Sequence, residues 1–563
     1  MNSSPEHYRQ RAKILADTGD VTGALGVLRE GISAFPNDAP LANSTGNMAM
    51  RSGDAALAEA CFAQALRIDG HTLEYAINLA IALARLERHD EAVEVLSSLE
   101  TQGANDARYC SVRAASHRSS GDLRQARIWY DHGLALEPTR PNALHGRARI
   151  ALESGEADAV QLFERALVAN QTDAEAWLGL AEALDAAGEP VRAQELAQQL
   201  VAQAPHWIAA LRVLAQLRLA AGDDDFASHF ADAARQRPQD IAIVQAHAAI
   251  LSGHDHPSQA AEVIAAARLR IPNDQQLALL EAMQRGMAGQ DDAAQEIFAA
   301  LNLDTPDRAV HEARHRIRRG EMDRAEILLE RALAVMPDST DGWALRDFLW
   351  RMRGDDRAAW LHGQVGLVHL LPLPGWEVLQ PDLLPLLHQL HDGAAFPLTQ
   401  SLRGGTQTRG TLLDRAEPEI THLHEALLDA LADYRAGLPA KDKNHPLLRH
   451  RDAPWSIAGS WSVRLAGGGD RHAAHVHPEG IVSSALYCDL PKDIANHEGQ
   501  AGWIELGRPP DHMRLDLGPL HVLQPKAGYL ALFPSTLYHG TVPFTSGRRM
   551  TVAFDVQCQK GAT

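Results

Sequence analysis

An alanine recurs about every 34 residues through the first two thirds of this chain, and that period limits the folds that the chain can adopt. The steps are 34 residues, with occasional slips to 33 and one to 31. The alanines are Ala24, Ala58, Ala92, Ala126, Ala159, Ala193, Ala227, Ala261, Ala294, Ala325 and Ala359. A fixed period of about 20 to 50 residues is the signature of stacked, similar units. Residues 1–364 are therefore predicted to form a repeat array.

Glycines and prolines keep the same phase as the alanines. A glycine stands five residues before most of them, at Gly19, Gly53, Gly121, Gly188, Gly222, Gly289, Gly320 and Gly354. A proline follows many of them after eleven or twelve residues, at Pro36, Pro138, Pro205, Pro238, Pro272, Pro306 and Pro337. Glycine ends a first helix with positive φ, alanine lets a second helix pack closely, and proline stops it. Each unit is predicted to be a helical hairpin, with looser turns where Glu87 and His256 replace the glycine.

The run Gly53-Asp54-Ala55-Ala56-Leu57-Ala58 carries the glycine and the alanine of one unit. It resembles the tetratricopeptide repeat, and the resemblance extends over the eleven units of residues 1–364. This implies an α-solenoid, in which each unit buries its apolar face against its neighbours. Such a solenoid presents a long concave surface that suits an extended peptide or a protein partner.

The pattern becomes strand-like at Trp455. Runs of β-type residues between Gly, Pro and Asp predict six strands, at 457–465, 481–490, 502–506, 520–524, 529–533 and 550–557. Together with short extra strands, this number is enough for a jelly roll. Two helices are predicted before the strands, near 383–390 and over 417–438, and the second is expected to back a sheet.

The predicted fold class is therefore an α+β multidomain chain. It consists of a solenoid over residues 1–364, a packed junction over 365–390 and a C-terminal double-stranded β-helix, or jelly roll, over 391–563.

Net charge, cysteines and apolar runs limit the partners and the compartment. A net charge of -19 disfavours nucleic acid and anionic membrane surfaces as partners. The four cysteines are far apart and show no CxxC spacing, which indicates reduced packing residues. The polar N-terminal stretch and the absence of long apolar runs favour a soluble, cytoplasmic protein.

Three histidines in the strand-rich region form a candidate metal site: His475, His477 and His539. Because the chain has 28 histidines, a His-x-His pair alone is weak evidence of a metal site. The context is stronger, since β-type runs flank the pair and the third histidine is followed by Arg549. Alternation along a strand lets residues two apart face one metal.

Five motifs resemble the Fe(II)- and 2-oxoglutarate-dependent oxygenases, in a bacterial branch that carries His-x-His-Pro. They are Gly-Ser-Trp-Ser-Val-Arg-Leu (459–465), His-x-His-Pro (475–478), Leu-Phe-Pro-Ser (532–535), His-Gly-Thr-x-Pro-Phe (539–544) and Arg-x-Thr-Val-Ala-Phe-Asp (549–555). The resemblance implies Fe(II) as the metal, 2-oxoglutarate as co-substrate and hydroxylation as the reaction. It also implies that Arg549 binds the far carboxylate of 2-oxoglutarate, which a guanidinium can grip through two hydrogen bonds.

The ligand frame departs from the usual pattern of the superfamily, which has His-x-Asp or His-x-Glu. In this chain the aligned pair is His475/His477, and a frame shift would give His477/Glu479 instead. The first frame is preferred because Pro478 would break the alternation needed for the second. A cluster of structural histidines without a metal is the third interpretation.

Other residues have both a functional and a structural interpretation. Ser462 and Arg464 could line the co-substrate pocket or serve packing and a salt link. Tyr487 could donate a hydrogen bond to the co-substrate or be a core aromatic residue, and Thr551, on the face of Arg549, could add a hydroxyl. Residues 403–408 could be a substrate loop, although a Gly-Gly pair is more often a simple turn.

The predicted function is 2-oxoglutarate-dependent hydroxylation of a protein or peptide that the solenoid recruits. One alternative is an inactive oxygenase fold that acts as a binding scaffold. The other is a cupin-like three-histidine iron dioxygenase that needs no ketoacid. The cupin motif fits only in part, because Glu479 lies too close to His477 and Arg549 has no counterpart there.

Overall fold

The computed structural model describes residues 4–392, 394, 401–415, 417–491, 494 and 499–558. The chain divides into two compact units, residues 1–180 and 181–563. The first unit is helical, and the second contains further repeat helices together with all the described strands. Within the described ranges, no helix is both long enough and apolar enough to cross a bilayer.

Helices occupy most of the chain before residue 363. They are α1 Pro5–Asp17, α2 Val21–Ala34, α3 Ala39–Ser52, α4 Ala55–Ile68, α5 Leu73–Arg85, α6 His89–Ser97, α7 Glu100–Gly103, α8 Ala107–Ser119, α9 Leu123–Leu136, α10 Pro141–Glu153, α11 Ala159–Ala169, α12 Ala174–Ala186, α13 Pro190–Gln203, α14 Ile208–Ala220, α15 Ser228–Gln236, α16 Ile241–Gly253, α17 Pro257–Arg268, α18 Gln275–Met287, α19 Asp291–Ala300, α20 Pro306–Arg318, α21 Met322–Val335, α22 Thr340–Arg353 and α23 Arg357–His362. Two longer helices follow, α24 Trp376–Asp392 and α25 Pro418–Gly437. The α-solenoid predicted from the 34-residue period is confirmed.

The Gly-Asp pair explains how one helix ends and the next begins. Gly53 ends α3 in the left-handed region at φ 83°, and the Asp54 side chain then accepts a hydrogen bond from the Leu57 amide at the start of α4. The turns without glycine are not looser, contrary to expectation. Glu87 (φ 59°) and Asp255 (φ 63°) adopt the same left-handed conformation, which costs such residues about 1–2 kcal/mol.

The strands in the described part of the chain form one large sheet and two small ones, all antiparallel. The strands are β1 His369–Pro372, β2 Leu402–Arg403, β3 Thr406–Gln407, β4 Trp455–Leu465, β5 Arg471–His472, β6 Val482–Asp489, β7 Ile504–Leu506, β8 His521–Leu523, β9 Tyr529–Pro534, β10 His539–Thr541 and β11 Arg549–Cys558. The large sheet has the order β1-β9-β6-β11-β4-β3, and the small sheets are β10-β7-β8 and β2-β5. The predicted jelly-roll class is confirmed.

The six predicted strands correspond to β4, β6, β7, β8, β9 and β11. The sequence did not predict β1, which was assigned to the junction and pairs with β9. The domain division at 364 and 391 stays a prediction, since residues 181–563 form a single compact unit.

The two faces of β11 have different neighbours because its side chains alternate. Val552 and Phe554 are fully buried in the hydrophobic cluster that α24 and α25 form behind the large sheet. Arg549, Thr551 and Asp555 belong to the opposite set of positions, which faces away from these helices. This inner face therefore holds the polar residues of β11.

The packing of α25 on the sheet gives a stability prediction. Leu427 is fully buried in that cluster, whereas its neighbour Leu428 is 44% exposed. Leu427→Ala is expected to lower the free energy of unfolding by about 2–5 kcal/mol, because it removes buried methyl groups and leaves a cavity. Leu428→Ala should change it by less than about 0.5 kcal/mol. Urea unfolding curves check both values, and equal effects would contradict this packing.

Candidate active site

The structure brings His475, His477 and His539 together. One ring nitrogen of each lies within 4.8 Å of the others. Backbone hydrogen bonds in both directions join His475 and His539, with N to O distances of 3.1 and 2.9 Å. The Nε2 atoms of His475 and His477 are 2.9 Å apart. The spacing of the histidines thus reflects the pairing of two distant segments.

The second nitrogen of each ring has a hydrogen-bond acceptor. Nδ1 of His475 lies 2.8 Å from the Ala473 carbonyl, and Nδ1 of His539 lies 3.1 Å from the Leu537 carbonyl. A proton on each of these Nδ1 atoms leaves the Nε2 lone pair as an acceptor. Nδ1 of His477 in turn faces the Asp555 carboxylate. With protons on Nδ1 of His475 and of His477, the two Nε2 lone pairs would face each other at 2.9 Å, an arrangement that a bound cation would stabilise.

The third ring is held by a carboxylate. Nδ1 of His477 donates to Oδ1 of Asp555 on β11 at 2.5 Å, and the Ser483 hydroxyl donates to the same oxygen at 3.3 Å. The sequence interpretation used Asp555 only as the last residue of a motif. One signal could have identified it: Asp555 lies six residues after Arg549, and an even separation puts both on one strand face.

The protonation states of His475 and His539 suit metal binding. Burial lowers the pKa of His475 and of His539 well below the usual value, and the neighbouring histidines lower it further. Both rings are therefore neutral near pH 7, the state in which imidazole binds a metal. Burial, and then the charge of Arg549, lowers the pKa of His472 to about 3. Arg549 is thus close to this group of rings.

Arg549 is buried, and the part of the chain that the structure describes offers it no counter-ion. Its side chain is 2% exposed, and its guanidinium carbon lies 5.2 Å from the centre of the Tyr487 ring. Among the described residues, no carboxylate pairs with Arg549, and neither its Nε nor the Tyr487 hydroxyl makes a hydrogen bond of good geometry. Burial lowers the pKa of Arg549, although the two side chains attract each other and this contact acts against burial by raising it. An unpaired buried cation is costly, so an anion that also accepts from the tyrosine hydroxyl fits this place. Thr551 lies opposite Tyr487 in the β11–β6 pair.

Two predicted co-substrate residues lie on the other face of the sheet. Ser462 and Arg464 stand opposite Val552 and Met550 in the β4–β11 pair, one position out of phase with Arg549. Ser462 Oγ donates to the Thr551 carbonyl, and Arg464 pairs with Asp392 of α24 at 2.9 Å. The structure therefore gives both residues the packing and salt-link roles, away from the histidines.

Glu479 and residues 403–408 also have defined places. Glu479 is exposed and is not in the histidine cluster. Residues 403–408 form the ends of β2 and β3 around Gly404 and Gly405, which both have positive φ. This segment is thus a turn. Two of its residues, Arg403 and Gln407, nevertheless line a cleft over the histidines.

A cleft of about 1320 Å³ opens over the histidines. His475, His477 and Trp461 lie on the sheet side. The opposite wall consists of repeat residues at the α16–α17 turn and the end of α18: Ser252, Asp255, Pro257, Met287, Ala288 and Gly289. The repeats of the second unit thus line the entrance to the site.

The last repeats also support the histidines from behind. Ala474, Val476 and Tyr538 alternate with the three histidines and pack into the hydrophobic cluster of α20 to α23. The Tyr538 ring stacks on Phe348 of α22 at 5.1 Å, and the Thr340 hydroxyl donates to the Pro478 carbonyl at 3.0 Å. These helices therefore hold both histidine segments in place.

Family models match both parts of the chain. Residues 459–555 match the family described as "Putative 2OG-Fe(II) oxygenase", and residues 49–115 and 156–217 match the tetratricopeptide repeat. The two resemblances seen in the sequence are thereby confirmed: tetratricopeptide repeats and an oxygenase-type domain occur in one chain.

Individual relatives match shorter stretches. Over 142 residues the chain is 30% identical to Protein FlbA of Caulobacter vibrioides. The matched stretch covers 25% of this chain and 24% of that protein. The chain thus spans about a quarter of the length of this curated relative. Among solved structures, a tetratricopeptide repeat protein from Parabacteroides merdae ATCC 43184 is 16% identical, with 43% of this chain and 97% of that chain covered and a TM-score of 0.37. PilW, a widely conserved type IV pilus biogenesis factor, is 20% identical, with 38% and 100% covered and a TM-score of 0.35. At these TM-scores, neither likeness bears on function.

The contact between Asp555 and His477 leads to a metal-binding prediction. Asp555→Ala should weaken binding of a divalent transition metal about 10- to 100-fold, because the His477 ring loses the group that fixes its tautomer and orientation. Asp382→Ala, at an exposed position of α24, is the matched control. Titration with Co(II) under anaerobic conditions checks this, and equal affinities for the two variants would contradict the role of Asp555.

Proposed function

We propose that this protein is an Fe(II)- and 2-oxoglutarate-dependent oxygenase that hydroxylates a protein or peptide. One observation carries the proposal: the histidine cluster shares the inner side of the sheet with a buried arginine that has no carboxylate partner among the described residues. A metal site and an anion site side by side are what a ketoacid-dependent oxygenase needs.

The three histidines and Asp555 would form the iron site. His475, His477 and His539 would hold the iron through Nε2, and Asp555 would keep the His477 ring in the required tautomer. When bound, Fe(II) with 2-oxoglutarate and O₂ supplies the oxidising power that puts one oxygen atom into a substrate C–H bond, while the ketoacid is converted to succinate and CO₂.

Arg549 and Tyr487 would bind the far carboxylate of 2-oxoglutarate. The guanidinium and the phenol hydroxyl both have unused donors, and both are buried. A charged hydrogen bond in such a dry place is stronger than at the surface. The two groups would thus orient the ketoacid and keep water from it, with Thr551 alongside.

This anion site favours the proposal over the two alternatives. A three-histidine dioxygenase that uses no ketoacid has no need for a buried cation beside its metal. Burying an unpaired cation costs on the order of several kcal/mol of folding free energy. An inactive scaffold would gain stability from an apolar residue at position 549. Among the residues that the structure describes, Arg549 Nε and the Tyr487 hydroxyl find no acceptor of good geometry, which supports a bound anion.

The cleft supports a polypeptide substrate. Its volume of about 1320 Å³ exceeds the range of about 300–1,000 Å³ that is usual for small-molecule sites. One wall consists of repeat turns, as expected if the repeats help to position the substrate. Tests of recruitment need the full chain, because a cut near residue 370 would remove α20 to α23 from behind the histidines.

Adjacent arginines provide the test of the co-substrate site. Arg549→Ala should keep the metal but weaken 2-oxoglutarate binding by about 2–5 kcal/mol, since it removes a buried charged partner. Arg548→Ala is the control, because Arg548 is the exposed neighbour. Anaerobic equilibrium dialysis of labelled 2-oxoglutarate against Fe(II)-loaded protein measures both affinities. Unchanged affinity in Arg549→Ala would exclude this arginine from the site.

A second pair of variants tests the ligand frame. His475→Ala should abolish stoichiometric iron binding, because the site keeps only two imidazoles, whereas Glu479→Gln should bind iron as the unaltered protein does. Metal analysis after anaerobic loading gives the iron content of each variant. Loss of iron in Glu479→Gln with retention in His475→Ala would move the site to His477/Glu479.

A further inference from the structure

We infer that the cleft over the histidines receives an acidic polypeptide segment, and that Arg471 is a cation that selects it. The inference rests on the proposed function in one respect: this cleft is taken as the entrance for the substrate. It concerns binding, so it can fail or succeed independently of the oxidation chemistry.

The cleft lining has one more arginine than carboxylates, whereas the chain as a whole is acidic. The chain has 72 acidic and 53 basic residues, not counting histidine. The cleft lining has four arginines, Arg403, Arg471, Arg508 and Arg514, against three carboxylates, Asp255, Glu505 and Asp511. An acidic protein with a locally basic cleft attracts a negatively charged partner to that cleft and repels it elsewhere.

Arg471 and Arg403 both lie near Asp255, which forms its ion pair with Arg403 and interacts with Arg471 only through longer-range attraction. They are direct partners in the β2–β5 pair, where like charges on opposite residues destabilise each other. Asp255, at the α16–α17 turn, pairs with Arg403 at 2.5 and 2.7 Å. Within the described ranges, Arg471 has no ion pair, and it lines the cleft four residues before His475. Its charge is therefore available to a ligand near the histidines.

The same arrangement occurs elsewhere along the cleft. Asp291, the first residue of α19, is shared by Arg514 at 2.6 Å and by Arg318 at 3.4 Å. The Arg318 side chain is 2% exposed, and its Nε and Nη1 have no hydrogen-bond partner among the described residues. Burial, and then the charges of nearby arginines, lower the pKa of His512 in the lining to about 3. Arg514 of the lining therefore belongs to a second pair of arginines that share one aspartate.

The rest of the lining suits a polypeptide better than a nucleic acid. Met287, Val542 and Pro543 add apolar surface to the lining beside the charged residues. Carboxylates lie among the arginines of the lining. A nucleic acid carries one negative phosphate per nucleotide, so these carboxylates would repel it repeatedly along the cleft. A peptide with a few carboxylates among apolar residues can avoid them.

Charge reversal at two matched arginines tests the inference. Arg471→Glu changes the cleft, whereas Arg270→Glu makes the same change at an exposed position after α17 that does not line it. The probes are fluorescent peptides of equal length, one rich in Glu and Asp, one with Gln and Asn in their place and one with Lys, and a single-stranded oligonucleotide. Fluorescence anisotropy with the full-length protein measures binding of each probe.

The inference predicts that the acidic peptide binds most tightly, that Arg471→Glu weakens its binding about tenfold or more, and that Arg270→Glu does not. Equal binding of acidic and neutral peptides, equal affinities of the two variants, or tighter binding of the oligonucleotide would each overturn it. Dialysis of 2-oxoglutarate against the same samples separates the claims. If 2-oxoglutarate binds but the peptides bind equally well, only the inference of an acidic substrate segment is refuted. If the acidic peptide is selected but 2-oxoglutarate does not bind, only the proposed oxygenase function is refuted.

Discussion

The structure of the site depends on two short extended segments, each with histidine on one face and hydrophobic packing residues on the other. In residues 474–477 and 538–539, histidines point to the cleft, while Ala474, Val476 and Tyr538 pack into the hydrophobic cluster of α20 to α23. Alternation along an extended backbone makes this possible, because successive side chains point to opposite sides. The same packing that buries the back of the segments therefore fixes the positions of the histidines on the front.

This arrangement makes the last repeats part of the oxygenase-type unit. An extended segment with one unsupported face would be free to shift, and a shift of about 1 Å is enough to impair a metal or catalytic site. The Thr340 contact to the Pro478 carbonyl and the stacking of Phe348 on Tyr538 oppose such shifts. The turns of α16–α17 and the end of α18 then complete one wall of the cleft. Repeats thus contribute to the site both from behind and at its entrance.

Sequence reasoning succeeded where a local pattern carries the information. The 34-residue period predicts the helical hairpins. Sequence reasoning failed where the face of a strand depends on distant partners. Ser462 and Arg464 alternate correctly but face α24, because the register of β4 with β11 sets the face, and one sequence does not reveal register. The contact of Asp555 with His477 and the support by α22 span 78 and 138 residues. No local pattern reveals these partners, although strand alternation does place Asp555 on the face of Arg549.

The central claim is that the histidines and Arg549 together form one Fe(II) and 2-oxoglutarate site. Anaerobic absorption spectroscopy of the Fe(II)-loaded full-length protein tests it most directly. Addition of 2-oxoglutarate is expected to produce a weak visible charge-transfer band that saturates with one ketoacid per iron and is lost in Arg549→Ala at the same concentration. A protein that holds iron at the histidines but shows no band at saturating 2-oxoglutarate would contradict the account.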